Sequence, residues 1–332
     1  MTIKHLVIGG GGPGGFINYG ALKESNLQGI WKYDDIKTIY ATSAGGFIAL
    51  PIILKINWNW IDDYIIKRPW HKVVKLSGND YFRLLRDKAL LSKNDFIDEM
   101  IDPLLKTADL DTNITLLELY NQIPIEFHLH SLNLNAEYEN QLINISHITY
   151  PNLLLKEAIY MSMSVPLVFT PLFKDNNCFL DGGLLANIPL KNCLNETKCK
   201  IDELLVFKYY RIIPKSEITE KTGIWSYLIE LFSIFTNNLI LLSEKYNLDK
   251  IDNKILIFEP ECKERPNIAT IKYWLECLEN ADERELLINT GVNYIKDFIL
   301  TEKYKYLNFN KNTENYLNYY TYKNNIKRSY SF

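Results

Sequence analysis

Three stretches hold residue types able to do chemistry. Residues 9–15 read Gly-Gly-Gly-Gly-Pro-Gly-Gly, six glycines around Pro13. A glycine gives up more conformational freedom on folding than any other residue and adds no side chain to a core. A run of them brings bare backbone N–H groups against something negative, and two ligands fit: a phosphate, or the oxyanion of an acyl transfer. The second stretch is Ala41-Thr-Ser43-Ala-Gly45, with small residues two positions away on each side of the serine. That is the spacing of a nucleophile elbow, a sharp strand-to-helix turn that lifts a hydroxyl clear of its neighbours. A serine that only caps the helix reads the same way. The third is Asp181-Gly182-Gly183 after the apolar run Cys-Phe-Leu. Its glycines let a turn press against the carboxylate, although a plain Asp-Gly turn is the simpler alternative.

The residues beyond the glycine loop test the phosphate reading. Gly10 to Gly15 satisfies G-x-G-x-x-G, the dinucleotide fingerprint. Such a site also needs a carboxylate at the end of the second strand, to hold the ribose hydroxyls. Here that strand ends Tyr-Ala-Thr-Ser, and Asp34 and Asp35 precede it. No Gly-Lys-Ser/Thr comes after the loop either, so dinucleotide binding stays only as a remote alternative. A serine nucleophile needs a group to take its proton. The histidines are His5, His71, His128, His130 and His147, none in a loop of the kind that carries a hydrolase base, and structural or surface roles are expected for all five. Asp34/Asp35 and Asp62/Asp63 read as solvated helix ends or faces.

The elements that must position these groups are visible in the pattern. His-Leu-Val-Ile before the glycines reads as a buried strand, and the residues after them have helical spacing. Ile36 to Ser43 is a second β-branched run that stops at the serine, and residues 47–55 resume as a helix. Strand, glycine loop, helix, strand, tight turn, helix is the opening of a parallel α/β sheet. Ser92 precedes another helical stretch, and Thr115-x-x-Glu118 has the capping-box spacing. Residues 125–134, 141–146, 204–210 and 254–260 read as further strands.

Taken in order, the three blocks resemble the patatin-like phospholipase family, whose pattern is a glycine-rich oxyanion loop, G-x-S-x-G and a later D-G-[GA]. The connecting stretches Gly-Ala-Leu-Lys-Glu, Ala-Ile-Tyr-Met-Ser-Met-Ser-Val-Pro and Asp-Gly-Gly-Leu-Leu-Ala-Asn-Ile-Pro-Leu add to the likeness, which covers roughly residues 4 to 210. The resemblance implies a three-layer α/β/α fold with a mainly parallel central sheet and C-terminal helical additions. It implies a lipid acyl hydrolase working through a Ser–Asp dyad without histidine: Ser43 as nucleophile, Asp181 as base. Backbone N–H groups of Gly10, Gly11, Gly12 and Gly14 would form the oxyanion hole, with Gly15, Ala41, Gly45, Gly182 and Gly183 as motif support. No metal or other cofactor is implied. The chain departs from the pattern twice. Gly14 stands where the family usually has Arg or Lys, which leaves headgroup preference open, and Ala41 replaces the first elbow glycine. Phospholipid is the expected substrate class, neutral acylglycerol the runner-up, and a catalytically silent lipid-binding protein the alternative.

The bulk properties agree with this reading. The chain has 332 residues, a net charge of -3 and 47% apolar residues, those of an ordinary folded protein with no excess positive charge for nucleic acid. Residues 1–300 are expected to form one domain and 301–332 a basic, Tyr/Asn-rich segment. Cys178, Cys193, Cys199, Cys262 and Cys277 form no C-x-x-C pair, which predicts reduced thiols. Neither a signal peptide nor a transmembrane span is read from the sequence, so a cytoplasmic protein with peripheral membrane contact is expected. Residues 224–242 predict an apolar helix with one polar stripe, Ser226, Glu230, Ser233 and Asn237. Core packing is the first expectation for it; an acyl channel or a membrane interface are the others. Trp58, Trp60 and Trp70 lie beside basic residues and read as a surface helix, with interfacial contact as the alternative.

Overall fold

The computed structural model describes residues 2–73, 86, 88–91, 97–210, 218–248, 256–263 and 271–300. Its central strands are β1 (His5–Ile8), β2 (Thr38–Thr42), β4 (Glu126–Asn133), β5 (Leu142–Ile145), β7 (Leu172–Lys174), β8 (Asn177–Asp181), β9 (Leu204–Phe207) and β10 (Leu256–Phe258). They form one eight-stranded sheet in the order β10-β9-β1-β2-β4-β8-β7, with β5 also paired to β4. β3 (Ala89–Leu91) pairs with β6 (Leu167–Phe169) in a small parallel sheet of their own. From β10 to β4 every pairing is parallel, and the edge beyond β4 turns antiparallel. β1, β2 and β9 are buried along their whole length, as parallel strands covered on both faces must be.

The two faces are covered unequally. Leu6, Ile8, Ile39, Ala41, Leu205 and Phe207 point into the large core under the helices α1 (Gly15–Leu27), α2 (Ala44–Ile53), Leu155–Met163 and Ala281–Leu300. Val7, Tyr40, Leu204 and Val206 point the other way, into a small cluster closed by the helix Leu190–Thr197. Alternation of this kind along each strand is what gives the three layers of the α/β/α fold. α1, which starts at the glycine loop, is fixed by close packing on Ala281–Leu300. A Cβ on Gly20 would lie 2.0 Å from the Ile288 carbonyl oxygen, and one on Gly291 2.0 Å from that of Ile17.

Local signals in the sequence hold where they are described. Thr115 and Glu118 make both bonds of the capping box. Ser92 and the 301–332 segment lie outside the described residues. The tryptophans differ from expectation: Trp58 and Trp70 are in the core, and of the three only Trp60, at 36%, counts as exposed. Trp58 packs on the Tyr19 and Tyr33 rings, and its indole N–H reaches Asn26 at 2.9 Å, so these aromatics belong to α1's packing. Asp62 is likewise half-buried, accepting the Tyr19 hydroxyl at 2.8 Å and pairing with Lys23.

Candidate active site

Register alone brings the serine and the aspartate level. Thr42, the last residue of β2, pairs with His130 of β4, so Ser43 comes next at the height of Ser131. Asp181, the last residue of β8, pairs with Ser131 from the opposite side. One strand separates them, which puts their backbones about 10 Å apart. Both line one cavity of about 250 Å³, together with Gly11, Gly12 and Gly183. The rest of its wall is mostly apolar, including Phe16, Phe47, Met100, Val168 and Trp274.

Ser43 stands at the N-cap position of α2 but makes no capping bond. Its φ of 55° and ψ of -131° are a conformation that residues with a side chain rarely adopt. Such strain costs about 1 to 3 kcal/mol and persists only where surrounding contacts impose it. Two contacts impose it here. The Ser43 N–H donates to Ser162 Oγ at 3.0 Å, and that hydroxyl donates onward to the His130 carbonyl at 2.7 Å. On the other side Gly45 lies against β1, where a Cβ would sit 2.5 Å from the Ile8 carbonyl oxygen. Ala41, under the turn, points into the core.

Asp181 is fixed by its backbone and by the turn after it. Its N–H donates to the Ser164 carbonyl at 2.9 Å, and its Oδ1 accepts the Gly183 N–H at 2.6 Å. Gly182 passes so close to β4 that a Cβ would fall 2.2 Å from the His130 carbonyl oxygen. Ser162 and Ser164, at the end of the helix Leu155–Met163, thus hold the serine turn and the aspartate strand from one side. Reading the sequence missed both, and their only signal was the alternation Met-Ser-Met-Ser.

The glycine loop divides its work. The Gly10 N–H donates to the Asn187 carbonyl at 3.1 Å, and the Gly14 N–H to the Gly11 carbonyl at 3.0 Å. Gly15 N–H bonds back to Gly12 and Pro13. These three shape the loop, whereas the N–H groups of Gly11 and Gly12 have no acceptor among the described residues. Gly12 has a φ of 55°, and a Cβ there would meet open space. Over Gly11 and Gly14 lies the Tyr209 ring, which a Cβ at either position would strike, at 2.1 and 2.5 Å. Tyr209 also lines the cavity, and its hydroxyl is buried with no partner among the described residues. No motif pointed to it.

The remaining charged groups are committed elsewhere. Burial lowers the His130 imidazole to about 3, so it stays neutral, against the Ala41 carbonyl at 3.4 Å. His128 stacks on Tyr40 at 4.2 Å on the small-cluster face, away from the cavity. Among the described residues Arg284 is the one cation of the cavity lining, but its guanidinium donates to carbonyls of Ile65, Ile66, Arg68, Cys277 and Leu278. Among the described residues no cluster of three metal-ligating side chains occurs.

A serine on a strained strand-to-helix turn, at the carboxyl end of a central parallel strand and beside glycine amides with no acceptor among the described residues, has the geometry of a nucleophile elbow on an α/β sheet. The family described as "Patatin-like phospholipase" matches residues 6–194, more than half of the chain, and the chain belongs to that family. It is 23% identical over 305 residues to protein R571 of Acanthamoeba polyphaga mimivirus, spanning 90% of this chain and 94% of that one. It is 21% identical over 188 residues to the probable lipid hydrolase 463L of Invertebrate iridescent virus 6, spanning 56% of this chain and 62% of that one. Among solved structures, VipD from Legionella pneumophila is similar at 14% identity and a TM-score of 0.45, over 88% of this chain and 67% of VipD. ExoU from Pseudomonas aeruginosa, in its complex with SpcU, is similar at 15% identity and a TM-score of 0.37, and the match spans 53% of the ExoU chain.

Proposed function

We propose that the chain is a lipid acyl hydrolase that cleaves fatty-acyl esters of phospholipids through a Ser–Asp dyad. The observation that carries this reading is the strained Ser43, level with Asp181 in one apolar cavity, beside the unpaired amides of Gly11 and Gly12. Ser43 Oγ attacks the ester carbonyl carbon and Asp181 takes its proton. The oxyanion forms against the Gly11 and Gly12 N–H groups, each donor of this kind contributing roughly 3 to 4 kcal/mol to the transition state. Collapse expels the alcohol, which receives the proton from Asp181. Water then attacks the acyl-serine with Asp181 as its base, releasing the fatty acid. His130 takes no part, since an imidazole held at about 3 is too weak a base.

One observation favours a second reading within the same chemistry. Gly14 offers no cation, and Arg284 spends its donors on carbonyls, so among the described residues the cavity lining presents no uncommitted positive charge to a phosphate. Neutral acylglycerol is the substrate this favours. Fatty-acid release from phosphatidylcholine and from diacylglycerol, by the protein beside Ser43→Ala and Asp181→Asn, tests both. Release that each substitution abolishes in a folded protein is expected, with a chelator leaving the rate unchanged. Release that survives Ser43→Ala, or that EDTA abolishes, overturns the mechanism.

A further inference from the structure

The helix Ile224–Leu248 is amphipathic in the wrong sense for a surface helix. Its polar side faces the protein: Thr236 and Asn237, with Ile240, form part of the cavity wall, and its body packs on the short helix Gly183–Ala186 next to Asp181. The opposite side is mostly apolar, with Asn238 its one exposed polar residue among those described from 224 to 242, and faces solvent. Leu228, Phe235, Leu239 and Leu242 are 43 to 64% exposed, with Ile224 and Tyr227 beside them. At 100° per residue these fall on one stripe running about 27 Å from residue 224 to 242. Core packing, the first expectation for this helix, is therefore not what its apolar face does. Protein surfaces in water rarely present so many large apolar side chains in one row, and those that do meet another apolar surface.

We infer that this face docks on the neutral, apolar layer of a lipid bilayer. Two observations select a bilayer over another partner. The stripe carries no charge: residues 224 to 242 contain no Lys or Arg, and Glu230, their one carboxylate, lies off the stripe. Its complement is thus an uncharged hydrocarbon boundary, with insertion instead of charge attraction holding it there. The same helix also walls the cavity, so docking its outer face sets the cavity one helix diameter, roughly 10 Å, from the membrane surface. The choice of a lipid partner rests on the hydrolase reading, but docking and chemistry are separable by experiment.

Flotation of the full chain, carrying Ser43→Ala so that vesicles stay intact, with neutral phosphatidylcholine vesicles measures docking alone. Hydrolysis of a monomeric short-chain ester by the chain with Ser43 present measures chemistry alone. Binding that persists in high salt is expected, and Phe235→Asn/Leu239→Asn is expected to weaken it at least tenfold, since each side chain gives up its apolar burial. Leu228→Asn/Leu242→Asn should act alike, whereas Ile148→Asn, at an exposed apolar residue on a different element, should not. Short-chain ester hydrolysis and the melting temperature should be unchanged in both double variants. The inference is overturned by absence of vesicle binding, by binding that salt abolishes, or by binding that both double variants retain. A dimer that the double variants dissociate would overturn it by assigning the face to a second copy. A fall of several degrees in melting temperature would overturn it by showing that the chain itself covers the stripe. Vesicle binding that is lost in the variants while the ester is not hydrolysed at all would leave docking intact and refute the hydrolase reading.

Discussion

Ser43→Gly is expected to be more stable than Ser43→Ala, the reverse of the usual order of the two residues. Glycine ordinarily destabilises a folded chain by about 0.5 to 1 kcal/mol relative to alanine, because it has more freedom to lose. At position 43 the backbone sits at φ 55° and ψ -131°, where a Cβ costs about 1 to 3 kcal/mol. Ser43→Ala keeps that Cβ and its strain, and removes only the hydroxyl. Ser43→Gly removes both, so the difference between the variants is the strain less the entropy, roughly 0 to 2.5 kcal/mol in favour of glycine. The Ser43 N–H to Ser162 bond is a backbone donor and survives in both. Urea denaturation of the two proteins, with equal m-values, reads the difference as a shift in midpoint. Both should be inactive, so stability and turnover move in opposite directions at a single residue. A glycine variant less stable than the alanine variant would show that the turn stores no strain. The reading of Ser43 as a residue held for chemistry would then lose its structural argument.

Ser162→Ala should cost about 2 to 4 kcal/mol of stability, since it leaves the buried Ser43 amide without its acceptor and breaks the bond to the His130 carbonyl. It should also lower turnover with little change in KM, and unchanged turnover would deny it a positioning role. His130 takes up a proton in the unfolded chain near 6.5 but in the folded chain only near 3, so unfolding binds a proton between those values and stability falls with acid. The protein should therefore lose about 1.4 kcal/mol per pH unit relative to His130→Gln as pH drops from 6.5 towards 3, and parallel pH–stability curves would refute this. Gly14→Arg, which restores the family's basic residue, should strike the Tyr209 ring and cost about 1 to 3 kcal/mol, with part recovered by adding Tyr209→Ala. A single variant with unchanged melting temperature and higher activity on phospholipid would argue the opposite.

What was legible in the sequence was what the chain builds from neighbours. Ser43 follows a strand directly and Asp181 ends one, each at a turn that requires small residues within two positions, so a window of five or six residues contains the signal. The glycine loop is local too, but its division of labour is not. Gly10 is spent on Asn187, from a distant part of the chain, and nothing in the run of glycines distinguishes it from Gly11 and Gly12. Ser162 and Tyr209 were invisible for the same reason. A serine in an apolar helix reads as filler until the amide it accepts is known, and a tyrosine within the expected strand 204–210 reads as core. Yet Tyr209 occupies the space that a side chain at position 14 would need, which only the three-dimensional structure reveals. The helix Ile224–Leu248 shows the limit most clearly. Periodicity states that two faces differ, and of the stripe it marked, Asn237 lines the cavity. It cannot state which face the protein takes, because that depends on what the helix packs against. Here the neighbour is a cavity with the Asp181 carboxylate at its edge, where Thr236 and Asn237 serve better than leucine, and the apolar side is left to face outward. An inverted helix is thus an outcome of the site, and it becomes readable only once the site has been assembled.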